Sequence, residues 1–200
     1  MRNEMKSDRI AETLADRIVR GILAPGEKLT QDLIAREFGA SQVTVREALL
    51  RLAGRGLAVS LPRRGMCVAP LDKDAMVEIR AMRHALEPLA LLHSAPRLDA
   101  AQVEEIARLH QLCDSATSAE EWETANRGFH NALIAACPMP RLTEEVRNLQ
   151  LLYSREFLAR RAARWQPRPD PDHRAILAAV KVRDAALASA TLKRHLSRQG

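Results

Sequence analysis

Apolar residues return every three or four positions along most of this chain, the spacing that lines one face of an α-helix. Residues 7–20 put Ile10, Leu14, Ile18 and Val19 on one side and predict an amphipathic helix capped by Ser7 or Asp8. The pair Pro25-Gly26 predicts the turn that stops it. Thr30 then caps a short helix through Phe38 with Leu33, Ile34 and Phe38 apolar, and Gly39 closes it where a left-handed backbone is cheap. Ser41 caps a third helix, Gln42 to about Gly54, whose Val45, Leu49 and Leu52 face inward. Past Gly56 the pattern shortens to Leu57-Ala58-Val59-Ser60-Leu61 and Met66-Cys67-Val68-Ala69, two strands around the basic turn Pro62-Arg63-Arg64-Gly65.

From Lys73 onward the same periodicity predicts about six helices, over 73–94, 99–116, 119–137, 140–165, 171–182 and 184–198. Pro96, Pro138-Met139-Pro140 and Pro167-Arg168-Pro169-Asp170-Pro171 punctuate them. The expected fold class is therefore mainly α: a winged helix-turn-helix over 1–70, then an all-α bundle over 71–200. Composition agrees, since leucine and alanine supply 60 of 200 residues, and both are strong helix formers. Six of the eight glycines fall within the first 65 residues, so the turn-rich part is the smaller domain.

Charge changes the picture locally. The net charge is +6, too small to name a partner. Residues 41–65, however, hold Arg46, Arg51, Arg55, Arg63 and Arg64 against Glu47 alone, which is either the footprint of a polyanion binder or a solvated charged face. The helix-turn-helix pattern favours the first, because the second helix of such a unit lies in the major groove with its N-terminal side chains at base edges. Those exposed positions are Gln42, Val43, Thr44 and Arg46. With the cap Ser41, the helix's Arg51 and the wing's Arg63, Arg64 and Gly65, they form the candidate DNA-binding set.

Other classes recede. No run of about 18 apolar residues occurs and no signal-like apolar segment follows the charged N-terminus, so no membrane partner and a cytoplasmic location are expected. Cys67, Cys113 and Cys137 are odd in number and far apart, which fits reduced structural thiols. No phosphate-binding glycine loop or nucleophile elbow is present.

The string Leu23-Ala24-Pro25-Gly26-Glu27-Lys28-Leu29, followed by 35–39, by Val45-Arg46-Glu47-Ala48-Leu49 and by the wing, resembles the winged helix-turn-helix of GntR-type bacterial transcription regulators. The resemblance implies that Arg46 reads operator bases and that Gly65 approaches the DNA. Gln42 stands where the family usually has arginine, followed by Val43 and by Thr44 at a position that is often Pro or Thr, and Asp32 stands where a basic DNA contact is common. Glutamine pairs with adenine where arginine pairs with guanine, so a shifted operator sequence is expected.

The remaining 73–198 resembles the FCD effector domain of the FadR-like branch of that family. The resemblance rests on Arg83 four residues before Glu87, on Phe129-His130, on Asp172-His173-Arg174-Ala175-Ile176-Leu177 and on Lys193-Arg194-His195-Leu196. It implies a divalent metal, zinc or nickel, held by His130, His173 and His195, with Asn126 in place of the family's aspartate as a weaker amide ligand. Each histidine taken singly also reads as an ordinary core residue. Arg83 and Arg80 are the candidates to pair with a carboxylate effector, and Arg83 equally suits a salt bridge to Glu87. Gly128 either leaves room beside His130 for a ligand or is a tolerated flaw. His84, His93 and His110 match no motif, and Trp122, Tyr153, Phe157 and Trp165 read as packing.

The expected function is a ligand-responsive transcriptional regulator, a repressor rather than an activator. It would bind a palindromic double-stranded operator as a homodimer, with affinity modulated by a small organic acid. The alternative is a metal-dependent hydrolytic enzyme using the three histidines, which would need a general base that only Glu123 offers. No catalytic residue is assigned on the first reading.

Overall fold

The computed structural model describes residues 2–198, with side chains from residue 5 onward. Nine α-helices and one two-stranded sheet make up the described residues, and they divide into two units, Met1–Asp72 and Lys73–Gly200.

The first unit holds α1 (Arg2–Val19), α2 (Gln31–Phe38), α3 (Gln42–Gly54), β1 (Ala58–Leu61) and β2 (Gly65–Val68). Helix α1 begins ahead of the expected cap, and Ser7 is wholly buried inside it. Nothing in residues 2–6 is a glycine or proline, so the helix has no reason to stop at Ser7. Thr30 sits at the N-cap of α2 but its side chain makes no capping bond. Gly39 takes φ 54° and donates its N–H to the carbonyls of Ala35 and Arg36, closing α2 in the left-handed conformation that glycine adopts without strain. Ser41 Oγ accepts from the Thr44 N–H at 3.2 Å, a true cap for α3. Ile10, Leu14 and Ile18 of α1 are buried with Val45, Leu49 and Leu52 of α3 and with Leu57. Each such side chain contributes about 1.5–3 kcal/mol by leaving water. The strands pair antiparallel from Ala58↔Val68 to Leu61↔Gly65. Backbone bonds from Gly26 to Val68 and from Leu29 to Met66 tie the turn after α1 to the wing.

The second unit contains α4 (Lys73–Ser94), α5 (Ala100–Ser115), α6 (Ala119–Leu133), α7 (Pro140–Arg160), α8 (Pro171–Lys181) and α9 (Ala185–Arg198). Helix α4 packs on α7 and α9, α5 on α6 and α8, and α8 on α9. Leu91, Leu98, Ile106, Phe129, Leu133, Ile176 and Leu192 form the main core. Helix α5 starts at a reciprocal capping box between Asp99 and Gln102. Helix α6 ends at Leu133 rather than at Cys137, because the Ala136 N–H turns away to Ser94 Oγ at 3.1 Å and the neighbouring N–H groups close tight turns. Helix α7 gives way after Arg160 to a 3-10 turn, short of the expected 165. Among the described residues no helix is long and apolar enough to cross a membrane.

Candidate functional site

The outward face of α3 carries Gln42, Val43, Arg46, Glu47 and Leu50, all exposed, behind the exposed cap Ser41. Thr44 does not join them. It is 2% exposed, and its hydroxyl is hydrogen-bonded with Ser41 Oγ at 2.8 Å, so it braces the cap and the expectation that it faces outward is corrected. The reason is helical phase: Thr44 lies one turn before the buried Ala48, on the side that meets the core. Gln42 Nε2 donates to Asp32 Oδ1 at 2.6 Å, so two positions that depart from the family pattern are partners.

The arginines of 41–65 divide by pairing. Arg51 meets Asp8 at 3.1 Å and Arg55 meets Glu12 at 2.6 Å, both on α1. Arg64 donates to the Gly26 carbonyl at 3.2 Å and so ties the wing to its neighbouring turn. Arg46 and Arg63 alone among these five have no side-chain hydrogen bond or ion pair with any described residue. Arg63 also holds φ 63°, a left-handed conformation that a side chain disfavours, at the tip of the wing beside Gly65 with φ 78°. The first turn of α3 holds no acidic residue, and its N-terminal N–H groups favour an anion there.

In the second unit His130 of α6, His173 of α8 and His195 of α9 are buried and offer ligand nitrogens within 4.8 Å of one another. His173 Nε2 and His195 Nε2 are 3.2 Å apart, near the roughly 3.3 Å edge of a tetrahedral zinc site with bonds of 2.0–2.1 Å, and equally a hydrogen-bond distance. Glu87 Oε2 lies 2.8 Å from His130 Nδ1. That contact fixes the ring and turns its Nε2 inward, and the Nε2 has no hydrogen-bond partner. His195 Nδ1 faces Asp170 and Asp172 at 3.6 and 3.8 Å. Asn126 Oδ1 is a second buried acceptor with no partner. Convergent imidazoles and unsatisfied donor atoms of this kind fit a divalent metal.

Burial keeps two of the three imidazoles neutral. Burial, with repulsion from His130, pushes His195 down to about 4 against the pull of Asp170 and Asp172. Burial and the neighbouring His130, His195 and His110 hold His173 well below its usual range. At neutral pH both rings keep the lone pairs that a metal needs. Burial would raise the Glu87 carboxyl, but Arg83 and His130 outweigh it and hold it down to about 2.

Arg83 is buried, with its Nε 2.5 Å from Glu87 Oε1 and its guanidinium 4.2 Å from the centre of the Tyr153 ring. Arg80 is half-buried and its Nε has no hydrogen-bond partner. Gly128 does not open space at His130: a Cβ there would meet Leu109 Cδ2 at 3.0 Å, so the glycine lets α6 approach α5. A cavity of about 390 Å³ opens beside His195, lined by Trp122, Tyr153, Phe157, Arg161, Arg168, Asp172 and their neighbours. These aromatics pack together and also form one wall of the cavity. Sequence reasoning missed Glu87 as the brace of His130, and Asp170, which caps α8 while facing two histidines. It also passed over His110, buried with its ring 6.2 Å from that of His173. The buried carboxylate one turn after Arg83 was the available signal for Glu87; the other two carried none.

Comparison with known proteins covers both units. The model of the family "Bacterial regulatory proteins, gntR family" matches residues 6–68, and that of the FCD domain matches 78–198. The chain is 33% identical over 192 residues to the HTH-type transcriptional regulator BphR of Paraburkholderia xenovorans, covering 90% of this chain and 77% of that one. It is 27% identical over 195 residues to the HTH-type transcriptional repressor GlaR of Escherichia coli, covering 92% and 89%. Among solved structures, E. coli McbR/YncC is similar in fold with a TM-score of 0.80 at 23% identity, covering 97% and 94%. A putative GntR regulator from Rhodococcus sp. RHA1 gives 0.79 at 24% identity, covering 98% and 95%.

Proposed function

Since the chain belongs to the GntR family of bacterial regulatory proteins and carries an FCD domain, we propose that it binds a palindromic operator as a homodimer and represses transcription until a small organic acid enters its helical domain. It is a DNA-binding transcriptional regulator and not an enzyme, so the hydrolytic reading of the three histidines falls away. The observation that carries the proposal is the pairing pattern of the arginines: Arg46 on α3 and Arg63 at the wing tip remain uncommitted, while Arg51 and Arg55 are held by α1. Unpaired guanidiniums on the reading helix and the wing suit base and phosphate contacts respectively. Ser41, Gln42, Val43 and Gly65 complete that surface, and Arg51, Arg64 and Thr44 support it from behind.

The homodimer is supported by a stripe of exposed apolar residues along α4, Val77, Ala81, Ala85, Leu89 and Leu92, which a second copy would cover. Two half-sites supply the affinity that one reading helix lacks. Repression is supported by GlaR, a repressor by name.

His130, His173 and His195 would hold a zinc or nickel ion, with Asn126 as a weak fourth donor, and the bound ion would supply positive charge to an anionic effector. Arg83 reaches that effector only by sharing its guanidinium with Glu87, and Arg80 stands one turn earlier on α4. Gel-shift titration of the full chain against its own promoter region tests the whole reading. Binding that weakens steeply with salt, is lost in Arg46→Ala with the fold intact and changes with an organic acid is the expected result. Salt-insensitive binding, or an Arg46→Ala protein that binds like the parent, refutes it.

A further inference from the structure

Val43 is the second residue of α3 and is 68% exposed, more than any other large apolar side chain described in the Met1–Asp72 unit. Nine residues separate it from the buried Leu52, about two and a half helical turns, so the two point to opposite sides of the helix. Val43 therefore stands at the middle of the outward face, with the exposed Gln42 and Arg46 to one side and the exposed Glu47 to the other. We propose that Val43 reads a thymine through its 5-methyl group, which places a thymine at one fixed position in each half-site. The inference rests on the operator-binding reading above and names a base which that reading leaves open.

The fold does not account for a valine at this position. An exposed β-branched residue in a helix gives up rotamer freedom without the burial that offsets the loss. The same stiffness suits a contact, because the two methyl groups are held in one orientation before the DNA arrives and little entropy is lost on docking. Leu50 shares the outward face and is 55% exposed, but it lies about two turns further along α3. The N-terminal residues of a reading helix are the ones that meet base edges.

The chemistry of the groove then selects the base. Of the four bases, thymine alone presents an apolar group in the major groove. Pressed against the polar edge of adenine, guanine or cytosine, a valine strips water from a donor or acceptor and returns no hydrogen bond. Against the thymine methyl it removes two apolar surfaces from water, which for one methyl group is about a three- to fivefold gain in affinity.

The test is fluorescence anisotropy with the full chain and a duplex carrying the site it footprints in its own promoter region. Each thymine of one half-site is replaced in turn by deoxyuridine, which keeps the pairing and the O4 acceptor and removes only the methyl group. One position is expected to stand out, with binding weakened about three- to fivefold. At that position 5-methylcytosine is expected to bind better than cytosine by a similar factor. Val43→Ser is expected to erase both differences at an unchanged melting temperature, and Val43→Ala reads the same contact should Val43→Ser fail to fold. Leu50→Ala is expected to keep both differences. The absence of a methyl-sensitive thymine, a sensitivity that survives in the Val43 variants, or one that vanishes in Leu50→Ala overturns the assignment and leaves operator binding in place. A chain that holds its promoter region no better than a random duplex overturns this proposal together with the operator reading.

Discussion

Gln42 and Asp32 lie ten residues apart in sequence and are joined by a 2.6 Å hydrogen bond, Nε2 to Oδ1, across the turn between α2 and α3. Each alone looks like a lost positive charge. Together they make a presented amide: one N–H is held by the carboxylate, while the other N–H and the carbonyl oxygen keep the donor and acceptor pair that matches an adenine edge.

Gln42→Ala should therefore relax the preference for one base pair in each half-site. The expected loss is about 1–3 kcal/mol of discrimination at that position. Asp32→Ala should relax the same position by less, because the amide is then free to rotate. Both residues are exposed, so stability should stay within about 0.5 kcal/mol of the parent. Selection from a randomised operator library at fixed salt reads the preference, and an unchanged profile in both variants would count against the paired readout.

Arg46 and Arg51 occupy the same helix and should behave differently. Arg46→Ala is expected to weaken operator binding by about 1–3 kcal/mol. Arg51→Ala is expected to lower it by less than about threefold, since Asp8 already holds that guanidinium. Gel shifts at one salt concentration compare them, and equal losses would contradict the division between reading and bracing arginines.

Glu87 bonds His130 and Arg83, and Gln150 donates to it as well, at 3.2 Å. Glu87→Gln leaves the buried Arg83 cation without its counter-charge, so urea unfolding should show a loss of about 3–5 kcal/mol. In whatever fraction remains folded, zinc affinity should fall about 10- to 100-fold, because a carboxylate no longer orients the His130 ring. Competition with a chromophoric chelator measures it. Unchanged stability would remove Glu87 from the centre of this network.

Cys113 is buried, and that burial, reinforced by Asp114 and Asp170, pushes its thiol up to about 12. Cys67 is buried in the wing, and Cys137 is half-buried after α6. A thiol reagent at pH 8 should modify Cys137 quickly and the other two only on unfolding. Thiolate, not thiol, is the nucleophile, and burial blocks access as well. Peptide mapping after timed labelling distinguishes them; rapid modification of Cys113 would contradict its placement.

Most element boundaries were legible because the chain marks them locally. Ser41 caps α3, Gly39 closes α2, and the proline clusters separate α6, α7 and α8. The start of α1 was not, since a charged segment without glycine or proline signals neither helix nor stop. Thr44 turns inward because helical phase sets it one turn before the buried Ala48, a constraint that residue type alone does not carry. The three histidines could be gathered from the resemblance alone, whereas Glu87 and Asp170 complete the site from α4 and from the cap of α8. Contacts between elements far apart in sequence leave no periodic trace.

Both tryptophans and the one tyrosine lie in the Lys73–Gly200 unit, while the only aromatic residue of Met1–Asp72 is Phe38. The Met1–Asp72 unit is thus nearly dark at 280 nm, and intrinsic fluorescence and the circular dichroism bands near 280 nm both follow the Lys73–Gly200 unit. Set against far-ultraviolet ellipticity, which both units feed, the same unlabelled sample reports whether the two melt as one cooperative body.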